Sequence, residues 1–459
     1  MKNHTKFIAL VSCFGIAACQ GDFLTGGQLS TTPNAPTVAT NAQYFVGIES
    51  NIFYQYSGEF PRVSAVLTQQ DTTPIPGQYK QVYQYQITEA LFQGDQTQFA
   101  GGGGLADVRR LEALAAAAHD SLFVGTAQVQ EALLMGLAAD VWGDLTYTDA
   151  LKGMANPPLD KQLTVFDSLQ ALLSRAIVNM SATGPTNAGP GSADVSPYGG
   201  NAAQWIMLAH SLKARFYMHT AESRGATAYQ AALVEAPLGI TNPANDYKAV
   251  YSGGVDKSPN YNYFVSGPYV GYVAPGRLLD TLLYNRHDPR RTQYFAIDPA
   301  TNEATAFSAA LLAPDAASPI ATAAETHLTW AEAAYRTGDQ GTALAHLNIE
   351  RSYAGLSAEP GGLSGQALLQ EILTEEYIND FLLGDEAWKL YRRTCFPNMN
   401  STSPTGQPMP GRLYYDPNER ITNTNIPTPG TDPNGIRNQD DPPNANSDIT
   451  ALGACKAGA

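Results

Sequence analysis

The chain has 459 residues, of which 42 are acidic and 27 basic, and its formal net charge is −15. An acidic balance of this size, without a basic stripe, argues against a phosphate backbone as partner, so we expect no nucleic-acid binding. Only 15% of the residues are charged, below the roughly 25% of an average soluble domain. The composition therefore suits a surface that binds neutral polar ligands.

The first residues have the pattern of a lipoprotein signal. Two lysines precede an apolar stretch over 7–18, which is too short to span a bilayer, and small residues lead directly to Cys19. We predict a signal peptide over 1–18 and a lipid on Cys19 that anchors the chain to a membrane. An ordinary secretory signal that contains a cysteine is the alternative. Residues 19–40 are rich in Gly, Thr and Pro and are predicted to be a tether.

Beyond the tether, apolar residues recur with the spacing of helices, and residues 41–459 are predicted to form a single domain. No apolar run in it approaches the length of ~20 residues that a membrane span needs. Within 324–353, Gly338 and the small residues around it match a tetratricopeptide repeat and its turn. The fold class is therefore mainly α, with tetratricopeptide-like helix pairs that form a cradle. Helices are predicted over 128–142, 165–180, 204–221, 226–235, 324–353 and 366–392.

Two segments, 237–275 and 395–459, show no sustained period and are rich in residues that interrupt helices. The second holds ten of the 30 prolines, which excludes a long regular helix there. Both segments still carry aromatic residues. We expect them to be long ordered loops that overlie the helical base and carry the ligand face.

Two cysteines follow the predicted anchor. Cys395 and Cys455 lie in the C-terminal part of a chain that is expected to enter an oxidising compartment. They form either a disulfide that fixes the tail or two separate thiols. No CxxC pair or His/Cys cluster indicates a metal site.

Tyrosine is abundant, at 24 residues, and its distribution is uneven. Aromatic rings stack on the C–H faces of sugars while neighbouring amides bond the hydroxyl groups, and each tyrosine has an apolar ring and a polar end. Packing against the helical base is the alternative role for each of these residues. Alternation with polar residues also predicts a short strand with Tyr83 and Tyr85 on one side, either as a binding ladder or as the buried face of a hairpin, and the hairpin is favoured. The candidate ligand-binding residues are Asn260, Tyr261, Asn262, Tyr263, Tyr269 and Tyr272 in one loop, and Tyr79 and Tyr83 in another.

Five stretches, taken in order, extend over nearly all of the chain that follows the signal. They are TPNAPT at 32–37, AADVWGDLTY at 138–147, LKARFY at 212–217, DPR at 288–290 with YF at 294–295, and the helix pair from Glu375 to Arg393. Together they resemble motifs of the SusD/RagB family of outer-membrane nutrient-binding lipoproteins, and more closely those of its SusD-like branch. Thr146 stands where the family's aromatic-Gly-Asp-X-Pro-Tyr turn has proline.

This resemblance implies a mostly α-helical fold built on tetratricopeptide-like pairs, with loops that form the ligand face. It also implies a lipid-anchored protein of the outer membrane, exposed on the cell surface, that acts as the lid of a TonB-dependent (SusC-like) transporter. The implied ligand is an oligosaccharide, or a peptide in the RagB branch, and no cofactor is implied.

Motifs of enzymes are not found in the sequence. It has no His-Glu-x-x-His, no Gly-x-Ser-x-Gly and no phosphate loop. The acidic residues of 375–386 could form a glycosidase pair, but Lys389, Arg392 and Arg393 lie on the same helix pair, so an ion-paired face is the better interpretation. We therefore predict a binding protein without catalytic residues. A lipid-anchored tetratricopeptide-like scaffold that binds another envelope protein is the alternative.

Overall fold

The computed structural model describes residues 39–267, 270–397, 399, 405 and 409–429. The predicted signal peptide, Cys19 and most of the tether lie outside these residues. The α-helices of the described part are α1 (Asn41–Ser57), α2 (Glu59–Leu67), α3 (Gln78–Tyr83), α4 (Thr97–Ala100), α5 (Leu105–Ala117), α6 (Ser121–Trp142), α7 (Gln162–Met180), α8 (Ala202–His219), α9 (Ala221–Arg224), α10 (Ala226–Glu235), α11 (Pro259–Tyr261), α12 (Arg277–Asn285), α13 (Arg290–Tyr294), α14 (Ala323–Arg336), α15 (Gln340–Tyr353), α16 (Gly365–Asn379), α17 (Glu386–Thr394) and α18 (Pro417–Thr422).

The strands are short and pair in twos. They are β1 (Asp71–Thr72), β2 (Tyr247–Ala249), β3 (Ala274–Pro275), β4 (Phe295–Ile297), β5 (Ala304–Phe307) and β6 (Ser318–Ala321). The pairs β1–β3, β2–β6 and β4–β5 are antiparallel. Because β2 and β3 lie within the tyrosine-rich segment 237–275, two of these pairs fasten that segment to the helical base.

The long helices pack in succession. Helix α5 packs on α6, α6 on α7, α7 on α8, α8 on α10, α10 on α14, and α14 on both α15 and α16. Among the described residues, the largest buried apolar cluster extends from Phe45 to Ile426, and two smaller clusters join α14 to α15 and α16 and to α8 and α10. The structure confirms the predicted fold class of mainly α-helical, tetratricopeptide-like pairs. Helix α10 has the predicted bounds, and the other predicted helices differ by a few residues at their ends.

The turn of the predicted repeat forms as expected. Helix α14 begins with a capping box in which Thr322 accepts from the backbone of Glu325 and the Glu325 side chain accepts from the backbone of Thr322. It ends before Gly338, whose φ of +94° favours glycine. Asp339 then caps α15 by accepting from the backbone N–H of Thr342 at 3.0 Å. These local bonds reverse the chain and place α15 against α14.

Helix α6 was not anticipated in its full length. It has 22 residues and is long and apolar enough to cross a membrane, but 89% of its apolar window is buried inside the protein. A side chain at Gly125 would place its Cβ 2.4 Å from Met180 Cγ, and one at Gly136 would approach Phe216 Cζ to 2.3 Å. The two glycines therefore allow α7 and α8 to pack closely, and α6 is the central helix of the described domain.

The predicted strand at Tyr83 and Tyr85 is wrong. Residues 78–83 form helix α3, in which Tyr79 and Val82 are buried, because this three-residue spacing faces α2. Tyr85 has a φ of +57° just beyond the helix. Its hydroxyl donates to the carbonyl of Leu67 at 2.8 Å. Tyr83 and Tyr85 therefore do not form one ladder.

The C-terminal segment is described only in part, and its longest described helix has six residues. Cys395, directly after α17, is disulfide-bonded. Its expected partner Cys455 lies outside the described residues, so the pairing of these two cysteines stays a prediction.

Candidate ligand-binding site

A cavity of about 420 Å³ lies between α1, α2 and the segment 251–267. Two of the predicted residues, Asn262 and Tyr263, line it. The others that line it were not predicted as site residues and come mainly from the first two helices and from the loop before α11. The lining residues are Ser50, Tyr54, Arg62, Tyr251, Asp256, Lys257, Pro259, Asn262, Tyr263 and Gly267.

Arg62 forms the base of the cavity between two tyrosines. Its guanidinium carbon lies 4.2 Å from the centroid of the Tyr263 ring, and its Nε donates to the hydroxyl of Tyr79 at 3.3 Å. The rings of Tyr79 and Tyr263 meet edge to face, with centroids 5.5 Å apart. The hydroxyl of Tyr79 in turn donates to Glu59 at 3.1 Å. Tyr79 thus supports the cavity from beneath, because its own side chain is buried.

Tyr54 and Tyr251 form one wall. Ser50 and Tyr54 are four residues apart and share a face of α1, and 46% of Tyr54 is exposed. The hydroxyls of Tyr251 and Ser57 lie 2.6 Å apart. Burial raises the pKa of Tyr251 to about 12 and also raises the pKa of Tyr54. Both hydroxyls are therefore neutral at physiological pH. Because the Ser57 hydroxyl donates to the carbonyl of Phe53, Tyr251 donates to Ser57 and can only accept from a ligand.

The segment from 259 to 266 forms the opposite wall. It consists of α11 followed by a π-helical turn over Asn262–Ser266, a geometry that is frequent at functional sites. Asn262 is exposed and its Nδ2 donates to the carbonyl of Lys257 at 3.4 Å. The Lys257 ammonium lies 4.9 Å from the centroid of the Tyr261 ring. Tyr261 therefore positions a cation at the rim although it does not itself line the cavity.

The other predicted residues have different positions. Tyr272 packs on Gly77, where any Cβ would lie 2.6 Å from Tyr272 Cε1, so the two predicted tyrosine groups do meet. Asn260 is buried and lines a different cavity, which Tyr294 and Phe381 also line. Tyr83 packs against the core and lies under Lys80. Tyr269 lies outside the described residues. None of these findings tests ligand contact, so the assignment of all eight residues stays a prediction.

The sequence contained weak signals for two of the missed residues. Arg62 is the single cation of helix α2 and is followed by a mostly apolar stretch. Tyr54 directly follows Ile52 and Phe53 on α1, and unlike these two buried residues it lies on the exposed side of the helix. Neither signal indicates a ligand by itself, because each residue meets the tyrosine-rich segment only in the folded chain.

Exposed apolar side chains surround this cavity. Large hydrophobic residues that are exposed one at a time are normal on protein surfaces, whereas a group of them marks a binding surface. Ile75 also lies within 3.3 Å of the position that a Cβ on Gly271 would take, which brings the loops at 75 and 270 together. The exposed residues of this region are Tyr54, Ile75, Val255, Val265 and Val270.

The chemistry of the cavity is that of recognition. Asp256 is the only carboxylate among its lining residues, whereas glycoside hydrolysis generally uses a pair. Within the described ranges, His, Cys, Asp and Glu side chains form no cluster of three that could hold a metal ion. The rings can stack on a ligand, and the amide, guanidinium and hydroxyl groups can bond its polar atoms.

The acidic residues of α16 and α17 form ion pairs, and most of these pairs lie in the interior. Glu375 is fully buried and contacts Arg286, Arg290 and Arg351 from other elements. Glu376 pairs with Arg393 at 3.0 Å as predicted. These charges therefore hold the helix pairs together in the interior.

Comparisons with known proteins give a consistent result. A family model described as "Starch-binding associating with outer membrane" matches residues 33–416. No curated protein matches the chain significantly. Among solved structures, a chitin-binding protein has a TM-score of 0.69 at 19% identity, covering 84% of this chain and 95% of its own.

Two further structures share the fold. A SusD/RagB family protein from Bacteroides thetaiotaomicron has a TM-score of 0.68 at 18% identity, with 85% of this chain and 95% of that one covered. A chitin-binding SusD homologue from Flavobacterium johnsoniae has a TM-score of 0.67 at 17% identity, with 87% and 99% covered. Because these sequence identities are low, the similarity to the three structures shows a shared fold.

Proposed function

From the premise that the chain belongs to the SusD-like family, we propose that it binds oligosaccharides at the outer membrane through the cavity between Tyr54, Tyr251 and Tyr263. The arrangement around Arg62 carries this proposal: tyrosines surround a cavity of about 420 Å³ and present rings and hydroxyls together. A sugar needs both, since its C–H face stacks on a ring while its hydroxyls exchange hydrogen bonds.

Two structural relatives support a carbohydrate ligand, since both bear the description chitin-binding. The same cavity could hold a peptide, whose backbone amides would bond Asn262 and Ser50. We favour the saccharide because three tyrosine rings and several hydroxyl groups line the same cavity.

We also propose that the bound ligand passes to a TonB-dependent transporter and that a lipid on Cys19 holds the protein at the membrane. The exposed apolar residues around the cavity, such as Val255 and Val270, suit a surface that another protein covers. Purification of the tagged full chain from its native membrane should recover a large β-barrel receptor in near-equal amount. Recovery of soluble envelope proteins alone would favour the scaffold function.

Calorimetry with chitin, starch and acidic oligosaccharides, and with peptides of mixed sequence, tests the ligand class directly. Tyr54→Ala should weaken oligosaccharide binding about fivefold, because one stacked ring contributes about 1 kcal/mol. Tyr284→Ala is the matched control, since Tyr284 is 50% exposed on α12 and does not line the cavity. Binding of peptides alone, or an equal loss in both variants, would contradict the proposal.

A further inference from the structure

A second cavity, of about 310 Å³, lies in another part of the molecule. It shares no lining residue with the cavity at Tyr54. Its inner wall consists of Phe99, Leu105, Met135 and Ala138 from α4, the adjoining α5 and the central helix α6. The outer wall consists of the loop 145–159 and of residues 417–426, which we call the C-terminal strap. This cavity therefore extends from the surface to the apolar core.

Its opening is also apolar. Leu151 and Met154 line the cavity and are 59% and 51% exposed. Ile421, on the strap, is 80% exposed. Exposed apolar residues that continue into an apolar cavity mark a binding site more specifically than scattered ones do.

Hydrogen bonds and an ion pair fix the strap in place as part of the outer wall of the cavity. Asn423 on the strap donates to the carbonyl of Pro157 at 2.9 Å, and Asn156 accepts from the backbone N–H of Thr424 at 2.8 Å. An ion pair of 2.7 Å between Arg420 and Glu89 fixes the other side of the strap. Because these contacts bind the strap to its loop, the walls are not free to collapse inward. Its apolar inner wall can therefore take up an apolar molecule.

The side chains that line the cavity indicate which charge its ligand can carry. Glu419 is the only ionisable residue among the lining residues, and burial, together with the nearby Asp416, raises the pKa of Glu419. Thr146, Thr422 and Gln96 add neutral polar groups at the rim. None of the described residues that line the cavity is a cation that could pair with a carboxylate or a phosphate. An uncharged head group that bonds amides and hydroxyls fits this rim.

We propose that this cavity is a second binding site and that its ligand is an uncharged molecule with a hydrocarbon body of roughly ten carbon atoms, since one water-sized group fills about 30 Å³. The hydrocarbon lies against Leu105, Met135 and Ala138, and the polar end faces the strap. The site does not depend on the oligosaccharide cavity.

Methyl NMR of the full chain, with ¹³C-methionine and with Cys19→Ala so that no covalent lipid competes, tests the site with decanol as the probe. The methyl groups of Met135 and Met154 should shift and saturate, whereas those of Met180 and Met218, which do not line this cavity, should not. Decanoate at about pH 8 should bind at least tenfold more weakly than decanol, because its carboxylate would leave water without a cation among the lining residues to pair with it. Shifts that are absent, or that grow in parallel at all four methionines without saturation, would overturn the site.

Variants that fill the cavity test whether decanol binds in it. Ala138→Leu should weaken decanol binding at least tenfold, and Ala150→Leu, in the loop, serves if the first variant does not fold. Ala116→Leu, on the exposed side of α5, is the matched control and should bind as the parent does. Equal decanol binding by the filled variants and the control would place the ligand elsewhere and refute the proposal.

Discussion

The guanidinium of Arg62 lies over the ring of Tyr263, 4.2 Å from its centroid. Arg62 belongs to α2 near the start of the chain, and Tyr263 belongs to the tyrosine-rich segment that overlies the helices. This contact therefore joins the helical base to the loop that forms the proposed ligand face, and it fixes the floor of the cavity.

Tyr263→Leu should reduce both stability and oligosaccharide affinity. The change removes a buried cation–π contact of about 2 kcal/mol and the edge contact with Tyr79, so we expect a loss of about 2–3 kcal/mol in the free energy of unfolding. Denaturant titration and calorimetry measure the two effects. Tyr261→Leu is the control, since its cation, Lys257, lies at the rim. An equal loss from Tyr261→Leu would contradict the role given to Arg62.

Gly125→Ala should destabilise the central helix. The added Cβ would lie 2.8 Å from the carbonyl oxygen of Ala176, and a backbone atom cannot yield as a flexible side chain can. We expect a loss of about 1–3 kcal/mol, measured by denaturant unfolding. Gly47→Ala has no atom within 4 Å of its new Cβ and lies in α1, so it should stabilise by about 0.5–1 kcal/mol. Stabilisation by both changes would show that α7 moves freely away from α6.

The helical base could be predicted from the sequence because its signals are local. Helix α10 has the predicted bounds of 226–235, and Gly338 marks the predicted turn, since periodicity and capping are written within a few residues. The strand at Tyr83 failed because two alternating residues are too few to establish a period. Tyr79 and Val82 are three residues apart, so a helix buries both of them against α2, and a helix forms here instead of a strand.

The candidate site could be predicted only in part. The abundance of tyrosine indicated the segment 251–272, and Tyr263 and Asn262 do line the cavity. Tyr54 and Arg62 were missed because each acquires its role from a partner about 200 residues away. Contacts of that separation depend on how whole helices pack, which a local pattern does not encode.

Glu375→Gln should be strongly destabilising. The Glu375 side chain is fully buried and contacts the guanidinium groups of Arg286, Arg290 and Arg351. Removal of its charge leaves buried cations with fewer partners, at a cost of about 3–5 kcal/mol. Glu371→Gln is the matched control, since Glu371 contacts Arg286 and Arg351 but is 18% exposed. Thermal and denaturant unfolding should rank the two variants in this order, and the reverse ranking would contradict the buried position of Glu375.

The pH dependence of stability should reveal the buried pair of His219 and Asp140. Burial alone would lower the pKa of His219, but Asp140 at 2.7 Å and Glu386 at 2.8 Å raise it to about 9 from its ordinary value of 6.5. The folded protein therefore holds this proton more tightly than the unfolded chain does. The resulting stabilisation is complete below about pH 6.5 and is lost as the pH rises through 9.

His219→Gln removes this titration. Its deficit relative to the parent should be largest near pH 6 and should shrink by about 3 kcal/mol toward pH 10, as measured by urea unfolding at several pH values. His119→Asn is the control, because His119 is exposed and asparagine tolerates its φ of +57°. A constant deficit across this range would mean that His219 is neutral in the folded protein. In that case Asp140 and Glu386 would have to be held by Lys389 and Arg215, which contact them from the other side.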